Sequence, residues 1–441
     1  MSKLSSAPHH APTASRLSAC PGLLRIVPAR DGGLCRIRLM GGELRAAAAH
    51  AVADAAARYG SGVIEVTNRA NLQLRGVRAD AHAALIAALL DAGLGPSTPG
   101  ADDTRNLMLS PVADTRTREL AASIVEHMQR DPRLHALSPK FALLLDGGER
   151  VAMLDHPHDL WLAAMDGGER FAFGLAGCPP VGANDPPAAG AVPRSEVVRF
   201  VDALLHAFLD FATEGVARMR DLLGVVPAAR FLDALAVSPI HDERVRAWRR
   251  APADESLRFG AHFARPADRL MHAGAQPALG RIDAAALHAL AELAASKGGS
   301  CLRMTPWQGV LLPAVEPADA PAVLDALRKL GLATDASDPL SHVIACAGSP
   351  GCAKGLADTK ADALRLAARL AAGAPVHLSG CARSCAAAHS VHTTLLAVAP
   401  GRYDLYQHAT HERAEGFGRC VAHYLTIEEA AEWLARSNAD A

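Results

Sequence analysis

The sequence predicts an α+β protein built from two related halves, and three observations carry that expectation. The first is internal repetition: Gly42 to Thr67 aligns without gaps with Gly280 to Thr305, an offset of 238, with 11 identities in 26 positions. Seven of these are alanines, but Gly42/Gly280, His50/His288, Gly60/Gly298 and Thr67/Thr305 mark one succession of turn, helix, turn and strand in both copies. The second is a looser echo further on, where RNLML (Arg105 to Leu109) falls near HVIAC (His342 to Cys346), and GERFAFGL (Gly168 to Leu175) resembles PGRYDLYQ (Pro400 to Gln407). Strand-like alternation with turn glycines around both predicts an antiparallel sheet in each half. The third is size: 441 residues, 50% apolar, suffice for several domains with their own cores.

Taken in order, residues 1–18 are expected to be disordered. Residues 19–98 and 266–338 form the two smaller repeated units. Residues 99–265 and 339–437 form two larger α+β domains. The proline-rich stretch CPPVGANDPPAAGAVP (Cys178 to Pro193) is expected to be a boundary or surface loop, because proline continues neither helix nor sheet. Ser195 is expected to cap a helix running to about Leu223.

Composition excludes several function classes. Lys+Arg 45 against Asp+Glu 46 leaves a formal charge of -1, which provides no field for a nucleic-acid backbone. The N-terminus has no apolar core of a signal peptide, and the alanine run Ala46 to Ala57 is broken by His50 and Asp54. Neither secretion nor membrane insertion is expected, and the protein is read as cytoplasmic. Nine cysteines, an odd number, then point to thiols or metal ligands rather than disulfides.

Four of the nine are grouped. Cys346 and Cys352 form C-x5-C, Cys381 and Cys385 form C-x3-C, and 28 residues separate the pairs. Four thiolates from two loops suit a [4Fe-4S] cluster, one sulfur per iron. Gly348, Gly351, Gly355 and Gly380 would let backbone fold tightly around it. Structural zinc favours C-x2-C to C-x4-C at both knuckles, so x5 fits it less well. Unrelated thiols are the remaining reading. Nearby His342, His377, His389 and His392 could ligate a further metal or be ordinary histidines, and His9-His10 is read as inert.

Basic residues concentrate in the first half: Arg36 and Arg38, Arg69 and Arg75, Arg105, and Lys140. They lie in or beside strand-like runs, where unpaired charge is costly unless an anion meets it. In the second copy Arg69, Gln73 and Arg75 are replaced by Trp307, Leu311 and Pro313. A polyanion between an arginine wall and an iron-sulfur cluster would follow; arginines paired with Asp or Glu are the plain alternative.

The runs GGLCRIRLMGG, TNRANLQLRG, TRNLML and PKF, with C-x5-C and SGC-x3-C, together resemble the sulfite and nitrite reductase superfamily from about residue 20 to 435. The resemblance implies two ferredoxin-like half-domains (19–98 and 266–338) pairing about a pseudo-two-fold, plus two larger reductase-like domains. It places cluster ligands on Cys346, Cys352, Cys381 and Cys385, and tetrapyrrole or anion contacts on Arg36, Asn68, Arg69, Gln73, Arg105 and Lys140. The reductases carry a second lysine two positions after the first; here it is Ala142. The opening SACPGLLRIVPARDGGLCRIRL most resembles one branch, the precorrin-3B synthases of aerobic cobalamin biosynthesis. That branch implies a monooxygenase acting on precorrin-3A with O2, hydroxylating it before lactone closure. It also implies a non-haem iron besides the cluster, and no sirohaem. With no G-x-G-x-x-G after a strand, electrons are expected from a separate donor, an NADH-dependent reductase or a ferredoxin. The alternatives are a sirohaem-dependent sulfite or nitrite reductase, with Cys385 bridging cluster and haem, and a non-catalytic iron-sulfur protein that binds tetrapyrroles.

Overall fold

A computed structural model describes residues 20–265, 267–370, 375–408 and 416–439; the segment expected to be disordered, 1–18, lies outside them. In each copy of the repeat a glycine at positive φ (Gly42 +71°, Gly280 +69°) opens a short strand, a helix and a second strand. These are Glu43–Arg45, Ala46–Tyr59 and Val63–Val66 in one copy, and Arg281–Asp283, Ala284–Lys297 and Cys301–Met304 in the other. A Cβ on Gly42 would stand 2.0 Å from the Met304 carbonyl oxygen, so only glycine admits the close approach.

That approach reflects an exchange of strands. Glu43–Arg45 leaves its own half to pair antiparallel with Cys301–Met304, while Arg281–Asp283 pairs with Val63–Val66. The registers obey the repeat: Arg303 faces Glu43 as Glu65 faces Arg281. One five-stranded path runs Val27–Ala29, Gly32–Ile37, Leu72–Val77, Val63–Val66, Arg281–Asp283. Its counterpart runs Gly260–Phe263, Met271–Pro277, Val310–Val315, Cys301–Met304, Glu43–Arg45. The helices Ala46–Tyr59 and Ala284–Lys297 pack on each other in one core shared by both halves. The buried Ala49, Ala53, Ala291 and Ala294 explain the alanine excess, since small side chains let the helix axes approach. Where they cross, the repeat-related His50 and His288 bring their Nδ1 atoms to 2.7 Å.

The larger domains each hold a second sheet with the same plan. Leu107–Leu109, Leu143–Asp146 and His158–Met165 run parallel, then Arg170–Gly177 and Gly190–Pro193 antiparallel. Val343–Ala345, Val376–Ser379 and Thr393–Ala399 run parallel, then Arg402–Gln407 and Arg419–Leu425 antiparallel. These sheets are therefore mixed, not antiparallel as expected. The cause is a crossover helix between the first two strands of each, Thr115–Arg130 and Thr359–Ala367, which obliges parallel pairing. The looser sequence echo is real: RNLML and HVIAC hold the first strand of each plan, GERFAFGL and PGRYDLYQ the fourth.

Three local expectations are corrected. The proline-rich stretch ends inside the sheet, as the edge strand Gly190–Pro193, where Pro193 has no ladder bond to donate. Ser195 sits in a 3-10 turn, and the helix after it is Val197–Phe211 with no side-chain cap. The chain then breaks at Gly215 (φ +89°) before a separate helix, Met219–Leu223. The second small sheet also starts before residue 266, because Gly260–Phe263 pairs with Met271–Gly274. No described helix is long and apolar enough to cross a membrane.

Candidate functional site

The cysteine loops leave the carboxyl ends of two adjacent parallel strands, Val343–Ala345 and Val376–Ser379. Cys346 follows the first and Cys352 closes a short turn of helix, Gly348–Gly351; Cys381 and Cys385 follow the second. Glycines make the crossing of the loops possible. A Cβ on Gly355 would stand 2.6 Å from the Gly348 carbonyl carbon, and one on Gly380 would stand 3.2 Å from Gly355 Cα. The Gly380 N–H donates to Cys346 Sγ at 3.2 Å, the kind of amide-to-sulfur bond that stabilises a thiolate. Burial raises the Cys385 thiol, and the other three cysteines raise it further, so all four share one electrostatic neighbourhood.

A tetrahedral zinc with bonds of about 2.3 Å would hold its sulfurs ~4 Å apart. Among the described residues, no three of these sulfurs lie mutually within 4.8 Å. Four thiols on two glycine-crossed loops from adjacent strands fit a cube whose thiolates cap separate irons. Such a cluster would supply one-electron transfer when bound.

The first half grips these loops. Asn68 Nδ2 donates to the carbonyls of Cys385 (3.3 Å) and Ala386 (3.1 Å). Arg75 Nη2 donates to Gly351 O at 2.9 Å while paired with Asp31 and Glu65, and Arg30 reaches Ser349 O at 3.1 Å. The buried Lys360 ammonium ties Ala345 O (3.2 Å) to Leu279 O (2.8 Å). Asn68 and Arg75 thus hold the cysteine loops onto the arginine-bearing sheet.

The arginines divide into engaged and free. Arg38 is buried against Asp102 and Asp103. Arg105 bonds Asp102 (3.3 Å) and the carbonyls of Leu94 and Gly95, so much of its donor fork is used internally. Arg36 faces Gln73, whose amide oxygen, turned inward, accepts from Nε (3.3 Å) and Nη2 (2.8 Å), and the Cys20 thiol. Burial and Arg38 hold Arg36 below the usual arginine range, against the pull of Cys20 and Cys385. Arg69 makes no hydrogen bond or ion pair through its guanidinium among the described residues, and burial with Arg218 nearby holds it down to about 10. Lys140 is exposed.

Sequence reasoning missed Arg218. It projects from the break before Met219–Leu223, with Nε 2.8 and 2.9 Å from the carboxylate oxygens of buried Asp159. Asp159 also accepts from Ala142 N (2.8 Å) and Met219 N (2.7 Å). A guanidinium therefore stands near Ala142, where the reductase motif has lysine. The available signal was Asp159 itself, an acid at the head of the apolar run LWLAAM, which requires a cation if buried.

Of the four histidines singled out, His342 and His392 bond locally to Ala336 O and Thr393 Oγ1. His377 and His389 instead join His156 and His158 from the other half, with the His156 and His389 rings 5.0 Å apart. Burial and Arg69 hold His158 down to about 3; burial and His389 hold His377 down to about 4. Each of the four leaves a buried ring nitrogen without a partner. Their neutral nitrogens have metal-ligand chemistry, but among the described residues no three lie mutually within 4.8 Å.

Comparison with known proteins follows the same outline. A family model for the nitrite/sulfite reductase ferredoxin-like half domain matches residues 27–92 and 264–330, and one for the nitrite and sulphite reductase 4Fe-4S domain matches 100–238. The chain belongs to the nitrite and sulfite reductase family. The four cysteines lie outside those segments, in a second large domain that repeats the strand plan of the matched one. The family member named precorrin-3B synthase from Sinorhizobium sp is 29% identical over 397 residues, 88% of this chain and 82% of that protein. The chloroplastic ferredoxin–nitrite reductase of Zea mays is 28% identical over 390 residues, 80% of this chain and 67% of that protein. The Mycobacterium tuberculosis NirA protein shares the fold, with TM-score 0.75 at 20% identity over 93% of this chain and 80% of that one.

Proposed function

We propose that the chain is a precorrin-3B synthase, a monooxygenase that takes precorrin-3A and O2 and returns a hydroxylated lactone. One oxygen atom of O2 enters the tetrapyrrole. The other leaves as water with two electrons from a separate donor, a ferredoxin or an NADH-dependent reductase. The supporting observation is the state of the cationic wall. Among the described residues Arg36 and Arg69 are separate guanidiniums without carboxylate partners, suited to fixing carboxylates spread around a macrocycle rim. Reduction of sulfite or nitrite instead requires cations crowded on one small anion. Here the second lysine is Ala142, and Arg105 is bonded to Asp102 and two carbonyls.

In this reading Arg36, Arg69 and Lys140 bind and orient substrate carboxylates. Gln73 aligns Arg36, and Asn68 holds the Cys385 loop against the bound macrocycle. Cys346, Cys352, Cys381 and Cys385 would hold a [4Fe-4S] cluster, which would supply one-electron transfer. The test is turnover of precorrin-3A under 18O2 by freshly purified protein with a reduced donor. A product heavier by one labelled oxygen, from protein that yields no sirohaem on extraction, is expected.

A reductase reading is favoured by one observation, the Arg218 guanidinium beside Ala142. Stoichiometric extractable sirohaem with sulfite- or nitrite-dependent oxidation of a reduced dye would establish it instead.

A further inference from the structure

We propose that His127, Asp131 and Asp202 form a binding site for a divalent transition cation, with Zn2+ the first probe, clamping two helices far in sequence from the cysteine loops. The helices Thr115–Arg130 and Val197–Phe211 pack on each other. The first carries His127 in its last turn and is followed directly by Asp131; the second carries Asp202 and His206. Residues four apart share a helix face, so each helix edge offers one imidazole and one carboxylate to the other, in opposite order. His127 Nε2 lies 2.7 Å from Asp202 Oδ1, and His206 Nε2 lies 2.6 Å from Asp131 Oδ2 and 3.4 Å from Asp202 Oδ1. One donor atom each from His127, Asp131 and Asp202 lies within 4.8 Å of the other two, and all three side chains are partly buried.

The chemistry and the supports agree. Ligand bonds of about 2.0–2.2 Å place donors around one zinc ~3–4 Å apart, so small rotations suffice. One imidazole and two carboxylates form a borderline-hard set that suits Zn2+ and leaves a position for water. The ion would take the place of the hydrogen bond between His127 Nε2 and Asp202, with the neutral imidazole carrying its proton on Nδ1. His206 is the orienting group. Arg133 Nη1 donates to its Nδ1 at 3.1 Å, which puts the ring proton on Nε2, facing Asp131. Asp131 is fixed from its other side by Arg133 N at 2.9 Å. A ligand carboxylate held by a histidine whose tautomer is itself fixed is the outer-layer support that metal sites use.

Zn2+ is titrated by anaerobic calorimetry into full-length, cluster-bearing protein carrying H423A. That background disables the other set within the same distance, Asp404, Cys420 and His423, whose histidine is three-quarters exposed. One Zn2+ per chain is expected. D202N, which removes a ligand, and H206F, which removes none, should each weaken it tenfold to a hundredfold with unchanged cluster absorbance and circular dichroism. Zn2+ should also raise the thermal midpoint of the H423A protein in proportion to the logarithm of its concentration, a measurement that needs no further variant. No binding up to about 1 mM, no rise in midpoint, or unchanged affinity in both folded variants overturns the proposal.

Discussion

Replacing Arg69 with Met should make the ligand-free protein more stable and a poorer binder. Arg69 carries a charge in a mostly buried position, beside Arg218, and among the described residues its guanidinium makes no hydrogen bond or ion pair. A fall from 12.5 to about 10, at about 1.4 kcal/mol per pH unit, puts the cost of keeping it charged near 3.5 kcal/mol. The side chain keeps some solvent contact, so screening reduces this to about 1–3 kcal/mol. Methionine fills similar space without charge, and R69M should recover that amount in urea unfolding of the anaerobic, cluster-bearing protein. The sign with pH is definite. A base whose folded value is depressed yet stays near 10 is charged in both states below pH 9, so the gain should be flat from pH 5 to 9. Binding should move the opposite way. Loss of one guanidinium–carboxylate pair removes about 1.5–3 kcal/mol, tenfold to a hundredfold in affinity for a polycarboxylate porphyrin probe followed by fluorescence. An R69M protein less stable than the parent, or binding the probe equally well, refutes the idea of a guanidinium held in waiting for an anion.

Other outcomes follow from the same geometry. Alanine at Cys346, Cys352, Cys381 or Cys385 should remove iron and sulfide together, whereas alanine at Cys35, Cys178, Cys301 or Cys420 should leave both, as measured by metal and acid-labile sulfide analysis. D159N should destabilise by about 3–5 kcal/mol, because it unpairs Arg218 and turns an amide against inward N–H groups; a loss under about 1 kcal/mol would mean the pair is dispensable. Burial and Asp146 raise Glu149 to about 7, so its contribution is complete below its unfolded value of about 4.3 and disappears as pH rises through 7. E149Q should flatten that decline, worth about 1–3 kcal/mol between pH 5 and 8 after allowance for partial exposure, in denaturation curves across that range.

Much of this was legible because punctuation survives where composition does not. Gly42 and Gly280 had to be glycines for steric reasons, and aligning them located both strands and both helices of the repeat. The cysteine pairs were legible because four thiols with two fixed spacings leave few alternatives. The strand exchange was not, since Glu43–Arg45 has the same alternation whichever sheet it joins. The fate of each arginine was also hidden. Arg36, Arg38 and Arg105 look alike in sequence, and only the placement of Asp102 decides that two of them are engaged and one is not. Arg218 escaped because its partner, Asp159, lies 59 residues away.

The exchanged strands set a schedule for biosynthesis. The sheet that begins at Val27 lacks an edge until Arg281–Asp283 emerges, and Glu43–Arg45 waits for Cys301–Met304. An N-terminal fragment ending before residue 280 therefore holds an open sheet edge, a template for promiscuous pairing and aggregation. Separations of this length also make for slow closure. Severing the chain in the Gly224–Ala234 region and co-expressing the pieces should yield a complex that neither piece can replace alone. The arrangement is that of a swapped homodimer written as one chain: the reciprocal hand-over of one strand is what a two-fold pair of identical chains would do, while a single chain lets one copy carry the cysteines and the other the arginines.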